Sequence, residues 1–188
     1  MFFEKNYHHK NYQKDDDGAF KILVALRKYE DIYSDWDPSP FKRRDIEEDF
    51  VEYIMDSSID IPLKEKIRVV FLLEENQRSE IKETQVLKAL NNHFTYLLKK
   101  TERHYFEEQK KALKYFLISI TFAILAYSNV LGGVAMWEKI FEEGIVIGTW
   151  VFCWEAFYNL FIECDSIRKK IKFLKRFLDT EYIFKNNN

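Results

Sequence analysis

The pattern of apolar and charged positions changes abruptly beyond the middle of the chain. The first 112 residues are densely charged, whereas the 23 residues Tyr115–Trp137 carry no formal charge. An acidic segment, Glu138–Glu143, follows, and the 19 residues Gly144–Ile162 carry only the charge of Glu155. At about 1.5 Å of rise per helical residue, either run can cross a hydrocarbon core of roughly 30 Å. The pattern predicts a transmembrane hairpin over 115–162, with spans 115–137 and 144–162 joined by a tight turn.

Basic residues on both sides of this hairpin predict its orientation. Cytoplasmic loops of membrane proteins are enriched in lysine and arginine. We therefore expect a multi-pass membrane protein with both termini in the cytoplasm, because both flanks are basic and the turn is acidic. The flanking basic residues are Lys99, Lys100, Arg103, Lys110, Lys111 and Lys114 before the hairpin, and Arg168, Lys169, Lys170, Lys172, Lys175 and Arg176 after it.

A small α/β domain is predicted over 18–78, after a flexible N-terminus at 1–17. Apolar residues alternate from Phe20 to Leu26, which is typical of a strand, and Ile67–Leu73 is apolar on both faces, which predicts a central strand. Between them, Asp45 with Glu48 three residues later matches a capping box at the start of a helix. The β-α-β order predicts parallel strands.

Two further segments connect this domain to the hairpin. No proline or glycine occurs from Ser79 until Gly132, so 79–114 is predicted to form a stalk helix that runs into the first span. Residues 163–188 predict a basic amphipathic helix, which either lies along the headgroups or packs back on the stalk, and a candidate third strand at Thr180–Lys185. The fold class expected is an α+β membrane protein.

Polar and small residues recur on one stripe of the second span, and three interpretations of the stripe are open. In subunits arranged around an axis it lines a pore, and Glu155 forms a carboxylate ring that favours cations. Alternatively it is a helix–helix contact in an oligomer. In the third interpretation Trp150 and Trp154 mark the inner headgroup region, so that the span starts earlier and Glu155 is interfacial. The stripe consists of Gly144, Gly148, Glu155, Asn159 and Glu163.

Composition and motifs give little support for an enzyme. The net charge of −2 predicts no duplex nucleic acid partner, and the two cysteines, Cys153 and Cys164, are too far apart on one helix to pair. The sequence contains no glycine-rich phosphate loop, nucleophile elbow or metal-ligand spacing, so we expect no catalytic residue, no cofactor and no metal site. A ligand role is open for Trp36, otherwise interpreted as a buried plug, with the neighbouring basic residues Lys42, Arg43 and Arg44.

Several short motifs resemble a family of small, mostly uncharacterised bacterial two-span membrane proteins with an N-terminal cytosolic α/β domain. The motifs are Ser34–Pro40, Ile61-Pro62 before a strand, and Glu143-Gly144 followed by Trp150 and Trp154-Glu155. The layout is also similar to two-span channel effectors of nucleotide-signalled anti-phage systems of the Hailong type. This resemblance implies a homo-oligomeric channel in the bacterial inner membrane, gated through the cytosolic domain by a nucleotide or oligonucleotide signal. The alternative function is a membrane-anchored interaction or regulatory protein without a pore.

Overall fold

The computed structural model describes residues 12–34, 36–37, 45–74, 77–128 and 135–186. Lys42, Arg43 and Arg44 lie outside these residues. The elements, in chain order, are β1 (Phe20–Ala25), a 3₁₀ turn (Tyr29–Ile32), α1 (Glu48–Ile59), β2 (Ile67–Leu73), α2 (Glu80–Tyr127), α3 (Met136–Tyr158), a π-helical turn (Asn159–Glu163), α4 (Cys164–Leu178) and β3 (Glu181–Asn186).

The three strands form one parallel sheet in the order β1-β2-β3. Phe20 pairs with Ile67 in the first ladder, and Phe71 pairs with Phe184 in the second. The prediction that β2 is the central strand is confirmed, and the C-terminal segment, left open in the sequence as a candidate third strand, joins the sheet as β3. Segments on either side of the apolar region therefore meet in a single sheet.

One face of the sheet carries the hydrophobic core. Phe71, at the centre of β2, stacks on Phe184 with ring centroids 4.8 Å apart and on Phe50 of α1 at 6.1 Å. From α2 and α4, Phe94 and Phe177 stack nearly parallel at 4.8 Å, and both are fully buried. The end of the amphipathic helix α4 thus packs back on α2, which is the second of the two positions considered for it.

The helix α1 begins later than the sequence predicted. Its N-cap is Glu47, and Asp45 does not cap it. The backbone around Asp45 is instead held in an extended bridge: Ser34 N donates to Asp45 O at 2.9 Å, and Asp45 N donates to the Asp37 carboxylate at 2.7 Å. Because these groups are already paired, the chain turns helical only after Glu47.

The chain divides into two compact units. The sheet unit comprises Met1–Leu98 and Lys172–Asn188, and the helical unit comprises Lys99–Ile171. The helix α2 is continuous over 48 residues, as expected of a stalk that runs into the apolar region.

The sequence predicted the turn of the hairpin at Glu138–Glu143, but this segment is helical within α3. The helix α2 ends at Tyr127, inside the first apolar run. The acidic segment has no glycine or proline, whereas Gly132 and Gly133 lie between α2 and α3 and favour a break there. Glu138 accepts a hydrogen bond at 3.0 Å from Ala135 N, which closes the start of α3.

Candidate functional site

In the helical unit, the C-terminal part of α2 packs against α3, and the two helices run in opposite directions. Tyr115 contacts Phe152, with ring centroids 5.9 Å apart, and the Ser119 hydroxyl donates to the Thr149 carbonyl at 3.0 Å. The two helices are therefore antiparallel: residues later in α2 contact residues earlier in α3. This register fixes which residues of the two helices lie at the same height.

Small side chains allow the two helices to approach closely. Ala112, Ser119 and Ala126 recur every seven residues along α2 and are all buried, and Ala156 of α3 is buried as well. A Cβ placed on Gly148 would come within 3.0 Å of the Phe122 ring. Small residues at helix contacts are typical of packing within membranes, where backbones approach closely.

The outside of this helix pair is apolar. Buried positions hold Ser119 and Asn159, while large hydrophobic side chains point outward. A water-soluble monomer rarely exposes a continuous apolar surface of this extent. A lipid environment favours this distribution, in which polar residues lie between the helices and large apolar residues lie on the outer surface of the pair. The exposed side chains include Leu113, Phe116, Leu117, Ile120, Ile124 and Leu125 of α2, and Ile147, Trp150, Val151, Trp154 and Phe157 of α3.

One helical run in the described part of the chain, Met136–Leu178, is long and apolar enough to cross a membrane. Only 11% of its apolar window is buried, in contrast to the core helix of a soluble protein. This supports membrane association on length and composition. The predicted first span is not shown, because the uncharged part of α2, Tyr115–Tyr127, has 13 residues and rises only about 20 Å.

The structure does not bring the five residues of the polar stripe onto one surface. Asn159 is buried and donates from Nδ2 to the Glu155 carbonyl at 2.7 Å, and Gly148 packs against Phe122. Gly144 and Glu155 are exposed, and Glu163 is half-buried at the end of the π-helical turn. Part of the stripe is thus used in packing within the chain, and Glu155 remains available on its exterior.

The register of the helix pair places Glu155 near the basic residues that precede the uncharged part of α2. Phe152 lies beside Tyr115, so Glu155, three residues or about 4.5 Å further along α3, is level with Ala112. Lys111 and Lys114 flank that position in the sequence. Together with the early start of α3 at Met136, this height agrees with the interpretation in which Glu155 is interfacial.

The candidate ligand residues near the first turn are not supported as a buried site. Trp36 is 91% exposed, so the expectation that it forms a buried plug is wrong. Its short segment is bounded by two prolines and two aspartates, and within the described residues the turn offers no apolar cover for the indole. Among the same residues no group of three His, Cys, Asp or Glu side chains could hold a metal ion.

Two arginines of the sheet unit were missed as organising residues. Arg68 interrupts the apolar strand β2 and contacts three carboxylates, those of Asp15, Asp17 and Glu181. These hydrogen bonds, Glu181 first and then Asp17, raise the pKa of Arg68. Arg176 is buried and donates to the carbonyls of Ile61 and Glu65, both at 2.9 Å. A charged residue inside an apolar strand was the signal available for Arg68, but nothing distinguished Arg176 from its basic neighbours.

Comparisons with protein-family models, with curated proteins and with solved structures found no match to this chain.

Proposed function

We propose that the chain is an integral protein of the bacterial inner membrane whose helical unit self-associates into an ion channel. The observation that carries the proposal is the apolar exterior of the helix pair, on which the carboxylate of Glu155 is exposed. Lipid and neighbouring copies together would cover that exterior. In an oligomer, Glu155 contributes a carboxylate ring at the cytoplasmic mouth, where it attracts cations.

The sheet supports two crossings instead of one. Strands β1 and β2 precede the apolar region and β3 follows it, yet all three pair in one sheet. A single crossing by α3 would leave β3 on the opposite side of the membrane from β2. An even number of crossings keeps the three strands together, and the basic flanks then place both termini in the cytoplasm.

Gating by the cytosolic sheet unit and a role in anti-phage defence follow from the resemblance in layout and remain part of the proposal. The continuity of α2 supports coupling, because one helix supplies residues to both units. A signal that changes the packing of the sheet unit would therefore act on α2, which is also one of the two helices of the helical unit.

A second candidate function is a membrane-anchored interaction protein without a pore. It is favoured by Asn159 and Gly148, which make their contacts within one chain and do not need a neighbouring copy. In that case the helix pair only holds the sheet unit at the membrane.

Conductance of the full-length protein in planar bilayers tests the channel. Glu155→Gln removes one charge per subunit without changing size, so we expect the cation-to-anion permeability ratio, read from the reversal potential in a salt gradient, to fall at least about threefold. The matched control is Glu52→Gln, an exposed carboxylate of α1. Absence of any conductance supports the anchored protein, and a ratio unchanged by Glu155→Gln contradicts the carboxylate ring.

A further inference from the structure

A cavity opens at the edge of the sheet unit where the strands begin. Its volume is about 510 Å³, within the range of small-molecule sites. Three segments line it: the loop and first residues of β2 (63–68), the end of α4 with the following turn (172–181), and the residues before β1 (17–19). All of them belong to the sheet unit.

Basic side chains outnumber acidic ones in the cavity wall. Lys64, Lys66, Lys172, Lys175 and Arg176 line it, together with the carboxylates of Glu65 and Asp179. The remaining three charged residues, Arg68, Asp17 and Glu181, are engaged with one another: Arg68 Nη2 lies 2.8 Å from Asp17 and 2.6 Å from Glu181. With these three residues counted, six basic and four acidic side chains line the wall, an excess of two positive charges.

Arg176 gives this wall a fixed, buried cation. Its guanidinium donates to the backbone carbonyls of Ser58, Ile61 and Glu65, which carry no formal charge. Within the described residues, its buried Nε has no hydrogen-bond partner. Burial lowers the pKa of Arg176, since the charged form is poorly solvated there. An anion in the cavity would offset that cost.

We propose that this cavity binds a phosphorylated molecule with a net negative charge. Phosphate oxygens accept hydrogen bonds from the lysines at the mouth, and Ala19, Leu63 and Ile67 offer an apolar wall to the rest of the ligand. A soluble phosphate ester and the headgroup of an anionic lipid share this chemistry. The inference does not depend on the channel, because none of the described residues of the helical unit lines the cavity.

Binding is measured by calorimetry on the full chain in neutral detergent, with three probes: tripolyphosphate, ATP and dioctanoyl phosphatidylglycerol. Dioctanoyl phosphatidylcholine, a zwitterion with no net charge, is the control. We expect the double variant Lys66→Gln, Lys172→Gln to weaken binding at least about tenfold, because hydrogen bonds to charged groups are lost. The matched double variant Lys88→Gln, Lys100→Gln changes two exposed lysines outside the cavity and leaves affinity unchanged.

The probes separate the two sources of phosphate. Binding of tripolyphosphate or ATP identifies a soluble ligand, and binding of the anionic lipid alone identifies a headgroup. No binding of any probe up to about 1 mM, or equal weakening by both double variants, overturns the proposal. If the cavity variant does not fold, acetylation of the wild-type protein replaces it: a bound probe protects Lys66 and Lys172 but not Lys88, and lack of protection overturns the site.

Discussion

Arg68 shows how a single charged side chain orders part of the sheet unit. It joins β2 to β3 through Glu181 and to the segment before β1 through Asp15 and Asp17. Lys21 of β1 completes the cluster with an ion pair to Asp15 at 3.1 Å. The cluster therefore connects all three strands on the face opposite the hydrophobic core.

The pKa of Asp15 predicts how this cluster depends on pH. Hydrogen bonds from Lys21 and then Arg68 lower that pKa from 3.8 to about 2. A carboxyl whose pKa is lower in the folded state stabilises the fold above its unfolded pKa, and the contribution disappears as pH falls from about 3.8 to about 2. We expect Asp15→Asn to lower the melting temperature at pH 7, and the difference from wild type to shrink towards pH 2.

Thermal melts of the full chain between pH 2 and pH 7 measure this difference. Asp16→Asn, at the exposed neighbouring residue, is the control and leaves the melting temperature close to wild type at every pH. A deficit in Asp15→Asn that is the same at pH 2 as at pH 7 would show that the carboxylate charge is not the cause.

The close contact between α2 and α3 depends on the absence of a side chain at Gly148. Gly148→Leu places a side chain where Phe122 already lies 3.0 Å from the Cβ position, so we expect a loss of about 1–3 kcal/mol in stability, the usual effect of overpacking. Gly144→Leu is the matched control, because nothing lies within 4 Å of a Cβ at that position. Both changes gain the same helix propensity, which cancels in the comparison.

The melting temperatures of the two variants in detergent measure this difference in stability. A lower melting temperature for Gly148→Leu than for Gly144→Leu is expected. Equal melting temperatures would mean that Phe122 moves aside without loss, and that the close approach of the helices is not needed.

Strands were predicted closely because their signal is local. Ile67–Leu73 is apolar at nearly every position, and its observed bounds are the predicted ones. Alternation at Phe20–Ala25 likewise identified β1. The long α2 was predictable because glycine and proline are absent over its whole length.

Elements whose ends depend on distant contacts were predicted less well. The start of α1 is delayed because the backbone near Asp45 pairs with residues 32–34, a contact that no local pattern records. The turn of the hairpin was placed in the acidic segment on charge alone, although that segment contains no glycine or proline and is helical in the structure. The polar stripe was drawn on one helix, and only the register with α2 shows that Asn159 faces inward while Glu155 faces outward.

Taken as one chain, the protein has two units that differ in what covers their apolar residues. The sheet unit buries them in its own core, where Phe71, Phe94 and Phe177 are almost inaccessible. The helical unit exposes its large apolar side chains on its surface. Since both flanks of the helical unit join one sheet, our account requires that this apolar exterior be covered by lipid between an inward and an outward crossing.

The accessibility of a nitroxide at residue 151 tests that requirement most directly. In a background with Cys153→Ser and Cys164→Ala, a spin label at Val151→Cys reports on the α3 exterior in native-like membrane vesicles. A label at Ile81→Cys, on an exposed apolar residue of the sheet unit, is the reference. We predict that the label at 151 collides mainly with oxygen, which concentrates in lipid, and the label at 81 mainly with a water-soluble nickel chelate. A label at 151 that collides with the nickel chelate as often as the label at 81 would contradict the account.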